Sequence, residues 1–217
     1  MVDDYLTPAG YGEAEFVEKR SRFIGRVWPV ETEAEALERL KEIRARHWDA
    51  THNVYAYILR DGSTMRYSDD GEPGGTSGMP TLTVFRAQEI QNVLCIVTRY
   101  FGGILLGTGG LVRAYSQTAK LALAAAGIAR VREWEELLIA CPYAMYERIR
   151  RELDLAGALV TAADFGADVS IEALLEKGKS EALNRRLQEI SSGAVEALIL
   201  GSKYRAVRLE REVKENG

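Results

Sequence analysis

Residues 93–116 read VLCIVTRYFGGILLGTGGLVRAYS. The apolar run VLCIVT at 93–98 has the length and the β-branched content of a buried strand. After the glycine-rich turn comes LVRAYSQTAKLALAAA at 111–126, rich in helix formers and without an interior glycine or proline, which predicts a long helix. A strand that feeds a helix through a glycine turn marks the first half of the chain as mixed α and β.

The elements before this stretch extend that reading. AEFVEKRSRFIGRVWPV is expected to form two strands around a turn at Lys19–Ser21. Thr32 with Glu35 three residues on makes a capping box, and Ala36, Leu37, Leu40 and Ile43 recur at helical spacing to about His47. VYAYIL at 54–59 reads as a further buried strand. The order is then β-β-α-β-loop-β-α, with residues 60–92 left as loop.

Near 127–135 the alanine-rich segment passes from apolar to charged, which places a domain boundary there and gives domains at 1–130 and 131–217. Past it, ELLIAC (136–141) reads as a strand, Tyr143–Ala156 as a helix stopped by Gly157, and ALVTAADF (158–165) as a strand. GADVSIEALL, a helix over Ser180–Ser191 and AVEALILGSKYRAV complete βαββαβ, the pattern of a ferredoxin-like sandwich. The fold class is α+β.

Composition bounds the function. The chain has 217 residues, 47% of them apolar, and a net charge of -4. Basic and acidic residues number 15 and 16 in 1–130, and 13 and 16 in 131–217, so neither half is a basic module and any nucleic-acid contact must use a local patch. Cys95 and Cys141 each sit in or beside an apolar run and read as reduced core residues. The acidic start MVDDYLTPAG has no apolar signal region, and no run approaches the ~20 apolar residues of a membrane span. A cytoplasmic protein is expected.

Two segments carry the candidate chemistry. In SDDGEPGGTSGMP (68–80), Asp69, Asp70 and Glu72 suit either paired acid–base work or a hard cation. Asp-Gly and Glu-Pro-Gly-Gly are equally turn chemistry. We read the three carboxylates as loop-organising, together with His52 at a strand entry, and expect no catalytic residue and no metal. Ser77 and Thr76 read as turn formers, and His47 and His52 lack the partners of a zinc site. In the second segment, the N–H groups of Gly107, Thr108, Gly109 and Gly110 at a helix start suit an anion, with Arg99 and Arg113 flanking them. Removing both arginines is expected to weaken anion binding at nearly unchanged stability. The spacing is neither the P-loop nor GxGxxG, so strand-to-helix packing remains an equal explanation. Lys19, Arg20, Arg22 and Arg26, with Phe23 among them, fit RNA or a solvated strand face, and Arg148, Arg150 and Arg151 favour a solvated helix face.

KRSRF (19–23), ATHNVYAY (50–57), SDDGEPGGTSGMP (68–80) and TRYFGGILLGTGGLVRAYS (98–116), in that order, resemble the signature blocks of the YigZ/IMPACT family. The resemblance implies an N-terminal domain of the ribosomal protein S5 domain 2-like type. It also implies a C-terminal domain similar to the last domain of elongation factor G, as in the family's bacterial two-domain members. Eukaryotic members regulate translation by competing for an activator of a stress kinase, a role that the resemblance does not extend to bacterial ones. The family commonly has alanine where this chain has Ser77, which argues against a hydrolase built on that hydroxyl. The expectation is a translation-associated protein that binds RNA, the ribosome or translation factors, without cofactor or established catalysis. Because S5-like folds also occur in small-molecule kinases, a phosphate- or nucleotide-binding enzyme using the glycine-rich loops is the alternative.

Overall fold

A computed structural model describes residues 4–60 and 64–209; the outermost residues of the two expected domains, 1–3 and 210–217, lie outside it. The chain divides into two compact units, one of residues 5–130 with 206–209, the other of residues 131–205 with Asp4.

The first unit contains β1 (Tyr5–Pro8), β2 (Gly12–Glu18), β3 (Ser21–Pro29), α1 (Glu33–Arg46), β4 (His52–Ile58), β5 (Met65–Ser68), α2 (Gly78–Arg86), β6 (Val93–Tyr100) and α3 (Thr108–Ala126). The main sheet runs β2-β3-β6-β4-β5 with antiparallel neighbours throughout. Lys19 and Arg20 have φ of 46° and 68°, the left-handed pair that a two-residue hairpin turn needs, so β2 and β3 join there. Strand alternation divides β6 between two layers. Val93, Cys95 and Val97 pack with α2 and α3 in one core, while Leu94 and Ile96 pack under α1 in another. α3 lies against β2 and β3 because Gly12 and Gly25 leave room: a Cβ on Gly12 would come within 2.2 Å of Ala126 N.

Thr32 caps α1 by accepting from Glu35 N, but the reciprocal carboxylate reaches Glu31 N rather than Thr32 N. Leu37, expected on the apolar face, is 48% exposed; Ala36, Leu40 and Ile43 carry the contact. The expected loop over 60–92 holds β5 and α2. Local signals there mislead, since α2 begins in a glycine-rich run with Pro80 in its first turn, a position where proline costs no helical bond.

β7 (Ile128–Cys141) runs through 128–135, nearly the whole of the segment where the domain boundary is expected. It is followed by α4 (Tyr146–Ala156), β8 (Leu159–Phe165), β9 (Val169–Glu176), α5 (Ser180–Ser191) and β10 (Ala197–Arg208). Within the second unit the strand order is β10-β7-β9-β8. Together with the βαββαβ sequence of elements this is the ferredoxin-like arrangement. Ile149 and Leu153 of α4 and Leu183 and Leu187 of α5 cover the face that presents Leu137, Ile139, Ile171 and Leu175. Gly157, at φ 74°, supplies the left-handed residue that ends α4.

Candidate functional site

The site grows from one end of β6. Thr98 and Arg99 are adjacent and point to opposite layers, as strand alternation requires. On the α2/α3 side Arg99 is only 5% exposed. Its Nη1 donates to Glu72 Oε1 at 2.6 Å, and Nη2 donates to Ser21 Oγ at 3.3 Å. The guanidinium lies 5.3 Å from the Phe23 ring and 5.5 Å from the Phe101 ring. Glu72 also accepts from the Tyr115 hydroxyl of α3 at 2.7 Å. Burial and the Glu72 carboxylate push the Tyr115 phenol far above its ordinary range. The two glycine-rich segments therefore meet through Glu72, Arg99 and Tyr115. This corrects one expectation: Arg99 is an internal counter-ion and offers no free charge to an outside anion.

The remaining carboxylates of the 68–80 segment are also engaged. Asp69 accepts from Gly75 N at 2.8 Å, Gly78 N at 2.8 Å, Ser77 N at 3.1 Å and Ser77 Oγ at 2.6 Å. Ser77 gives α2 no side-chain cap, so Asp69 caps the helix from upstream. Burial pushes the Asp69 carboxyl upward, but the bonds from Ser77, Gly75 and Gly78 outweigh it and hold the group below its usual range. Asp70 accepts from Asn53 N at 2.7 Å and from Arg44 Nη2 at 2.6 Å. His52 Nδ1 lies 2.7 Å from the Asp70 carbonyl oxygen, and its Nε2 lies 3.8 Å from Glu72 Oε2. Ser77, fully buried, donates its hydroxyl to Asp69, and Thr76 donates to the Pro73 carbonyl. Among the described residues no group of three or more His, Cys, Asp and Glu side chains is placed to hold a metal ion.

A second polar cluster lies on the α1 side, and it corrects the expectation for Arg26, which is buried and internally bonded and so is neither a solvated residue nor an RNA contact. Arg26 is 3% exposed and donates to Glu13, Thr98 and, at 2.9 Å, to His47 Nε2. Thr98 donates to Asn53 Oδ1, and His47 Nδ1 lies 2.8 Å from the Tyr100 hydroxyl. Burial, and then the Arg26 guanidinium, hold His47 below its ordinary range, so the neutral imidazole accepts from Arg26. Period-two counting carries the signal: Arg26 shares the parity of Ile24 and Trp28.

Three exposed cationic residues lie at or beside the tip of the β2–β3 hairpin. Lys19 and Arg20 are exposed, and Arg22 pairs with Glu15 at 2.8 Å. The hairpin tip packs on the loop that leads to α3. A Cβ on Gly102 would stand 2.1 Å from the carbonyl carbon of Arg20, and Gly102 N donates to Ser21 Oγ at 3.2 Å. Past that loop, Gly107 caps α3 at φ 72° without any side-chain bond. Thr108, Gly109 and Gly110 occupy the first turn, where N–H groups have no partner within the helix. Arg113 is exposed one turn on. A groove of about 530 Å³ between β2 and α3 starts at Gly110 and Arg113 and continues to Lys120. Arg150 in the second unit pairs with Asp154 at 2.7 Å.

Comparison with known proteins adds an independent line. Residues 19–123 match the Impact N-terminal domain, and residues 139–194 match a domain of unknown function (DUF1949). The IMPACT family member YvyE of Bacillus subtilis is 34% identical over 194 residues, which are 89% of either chain. The IMPACT family member YigZ of Escherichia coli is 30% identical over 202 residues, 92% of this chain and 99% of that one. Protein IMPACT of Rattus norvegicus is 30% identical over 110 residues, 47% of this chain and 33% of that one. A crystal structure described as a hypothetical protein superposes with a TM-score of 0.58 at 30% identity, covering 93% of this chain and 99% of that one. Among the described residues no helix is long and apolar enough to cross a membrane.

Proposed function

The chain belongs to the IMPACT family, and from that premise we propose that it is a translation-associated protein that binds RNA, or the ribosome through its RNA. The observation that carries the reading is the seating of the Arg20 backbone on Gly102. That contact brings the hairpin tip, with Lys19 and Arg20, to the loop entering α3, whose first turn offers unpaired N–H groups with Arg113 behind them. Backbone donors at a helix start and mobile cationic side chains suit phosphate, and they recognise it without regard to base sequence. The net charge of -4 is compatible with this, because the cations are local. Arg22 contributes less than Lys19 and Arg20, since Glu15 already neutralises it.

Co-sedimentation of the full chain with ribosomes and with structured RNA, across a salt series, tests the reading. Binding is expected at low salt, with a log–log slope of roughly -0.7 to -0.9 for each phosphate neutralised. Absence of binding at low salt, or binding indifferent to salt, removes it. Saturable, magnesium-dependent nucleotide binding with no RNA affinity favours the phosphate-enzyme alternative instead.

A further inference from the structure

His52 and Glu72 face each other without a hydrogen bond. The Asp70 carbonyl oxygen can only accept, so the proton of the His52 ring sits on Nδ1, 2.7 Å from it. Nε2 then turns a lone pair toward Glu72 Oε2 at 3.8 Å, too far for a hydrogen bond. Glu72 Oε1 accepts from Arg99 and Tyr115, but among the described residues no hydrogen bond reaches Oε2. The Glu72 side chain is only 3% exposed, and an unpartnered acceptor at such a depth is costly. The His52 side chain beside it, at 17%, still reaches the surface. Two acceptors 3.8 Å apart are both within reach of one nitrogen about 2.8–3.0 Å from each, and an amino group has a hydrogen for either.

An aromatic face lies on the same side of the sheet. Arg99 is opposed by Phe23 on one neighbouring strand and by His52 on the other, and opposed residues share a face. The Arg99 guanidinium lies over the Phe23 ring and over that of Phe101. Phe23 is fully buried, but Phe101 is 45% exposed and has a ring free to take a further planar group. Phe101 is followed by Gly102, on which the Arg20 backbone is seated, so the phosphate-binding cations are next to it. We propose that this surface holds one unpaired base of the RNA, stacked on Phe101, with its exocyclic amino group directed to His52 Nε2 and Glu72 Oε2. Aromatic stacking joined to hydrogen bonds at a base edge is how single-stranded RNA is read. The pocket accepts cytosine or adenine, whose N4 and N6 amines donate twice. It rejects uracil, which presents a carbonyl oxygen where cytosine has the amine and would set a third acceptor against the other two. The proposal rests on the RNA reading above and adds a base preference to contacts that are otherwise indifferent to sequence.

Fluorescence anisotropy of the full chain with oligocytidylate and oligouridylate of equal length tests this. The two probes share charge and backbone and differ at one edge of the base. At about pH 8, above the ordinary imidazole value of about 6.5, oligocytidylate is expected to bind about tenfold more tightly. His52→Asn, whose amide nitrogen can still donate to the Asp70 carbonyl but puts nothing in place of Nε2, should bring the ratio to about threefold or less. Phe101→Ala should weaken both probes by about tenfold, because stacking serves any base. Failure of either probe to bind at low salt removes the RNA reading and this pocket with it. Salt-dependent binding of both probes with equal affinity keeps the RNA reading and overturns the pocket alone, leaving His52 and Glu72 as an internal pair. A preference for oligocytidylate that His52→Asn does not reduce would likewise overturn it.

Discussion

Arg99 and Glu72 form an ion pair, Nη1 to Oε1 at 2.6 Å, with side chains only 6% and 3% exposed. Taking one partner away leaves the other charged in a site that water does not reach. Arg99→Ala is therefore expected to lower the unfolding free energy by about 3–5 kcal/mol. The double variant Arg99→Met with Glu72→Leu, which removes both charges and keeps most of the volume, should lose far less. Urea denaturation of the three proteins checks this, and an Arg99→Ala variant as stable as the parent would show that the pair does not hold the two glycine-rich segments together.

Asp69 organises the start of α2 through its carboxylate. Its folded-state pKa is lowered, so its contribution is present above the ordinary carboxyl pKa of about 4 and is lost as pH falls through the lower folded value. Asp69→Asn keeps the shape but replaces one acceptor oxygen by a donor that faces N–H groups. A loss of about 1–3 kcal/mol at neutral pH is expected, together with a shallower acid limb in a plot of stability against pH.

His47 gives a second pH dependence at a different place on the axis. Its folded pKa is depressed by burial and by Arg26. The unfolded chain therefore takes up the proton first, and stability falls as pH drops below the ordinary imidazole value of about 6.5 and onward through the folded one. His47→Gln, which retains an acceptor for Arg26, should flatten this region and leave the lower Asp69 limb in place. Identical profiles for variant and parent would count against a neutral His47.

Charge can be removed from the hairpin tip without disturbing it. Lys19 and Arg20 sit at positive φ, where Asn and Gly are better suited than Lys and Arg. Lys19→Asn with Arg20→Gly should leave thermal stability equal or higher, and adding Arg113→Gln touches only an exposed side chain. The triple variant is expected to lose RNA co-sedimentation and to flatten its log–log salt slope by about 0.7–0.9 for every phosphate contact removed. Gly102→Ala tests the same surface from beneath, since the added methyl meets the Arg20 backbone; loss of stability and of binding together is the expected result.

How far the sequence reached depended on whether local signals carried the answer. The second unit was legible almost whole, because Gly157 ends α4, Gly193 closely follows α5, and apolar runs mark its strands. α2 was not: its cap is Asp69, nine positions before Gly78, and nothing near its start identifies it. The buried arginines failed for a related reason. Arg99 shares the parity of Cys95 and Val97, and Arg26 that of Ile24 and Trp28, so alternation alone points both inward. Their partners, Glu72 and His47, lie on other elements, and without them a cluster of arginines reads as a surface. The convergence of the glycine-rich segments depended on the same long-range pair.

Thr98 and Arg99 also bear on how the chain avoids misfolding. Apolar strands tolerate slippage, since one valine or isoleucine replaces another at little cost. Near its end β6 instead carries two adjacent polar residues, each matched to a different layer: Thr98 to Arg26 and Asn53, Arg99 to Glu72 and Ser21. A shift of one residue would carry the guanidinium under α1, toward another arginine, and leave Glu72 without a cation. The pair therefore acts as a key for strand assembly, penalising an off-by-one sheet more heavily than the aliphatic part of β6 can reward it. Replacing the key with apolar residues would relax this proofreading, even where the native state itself became more stable.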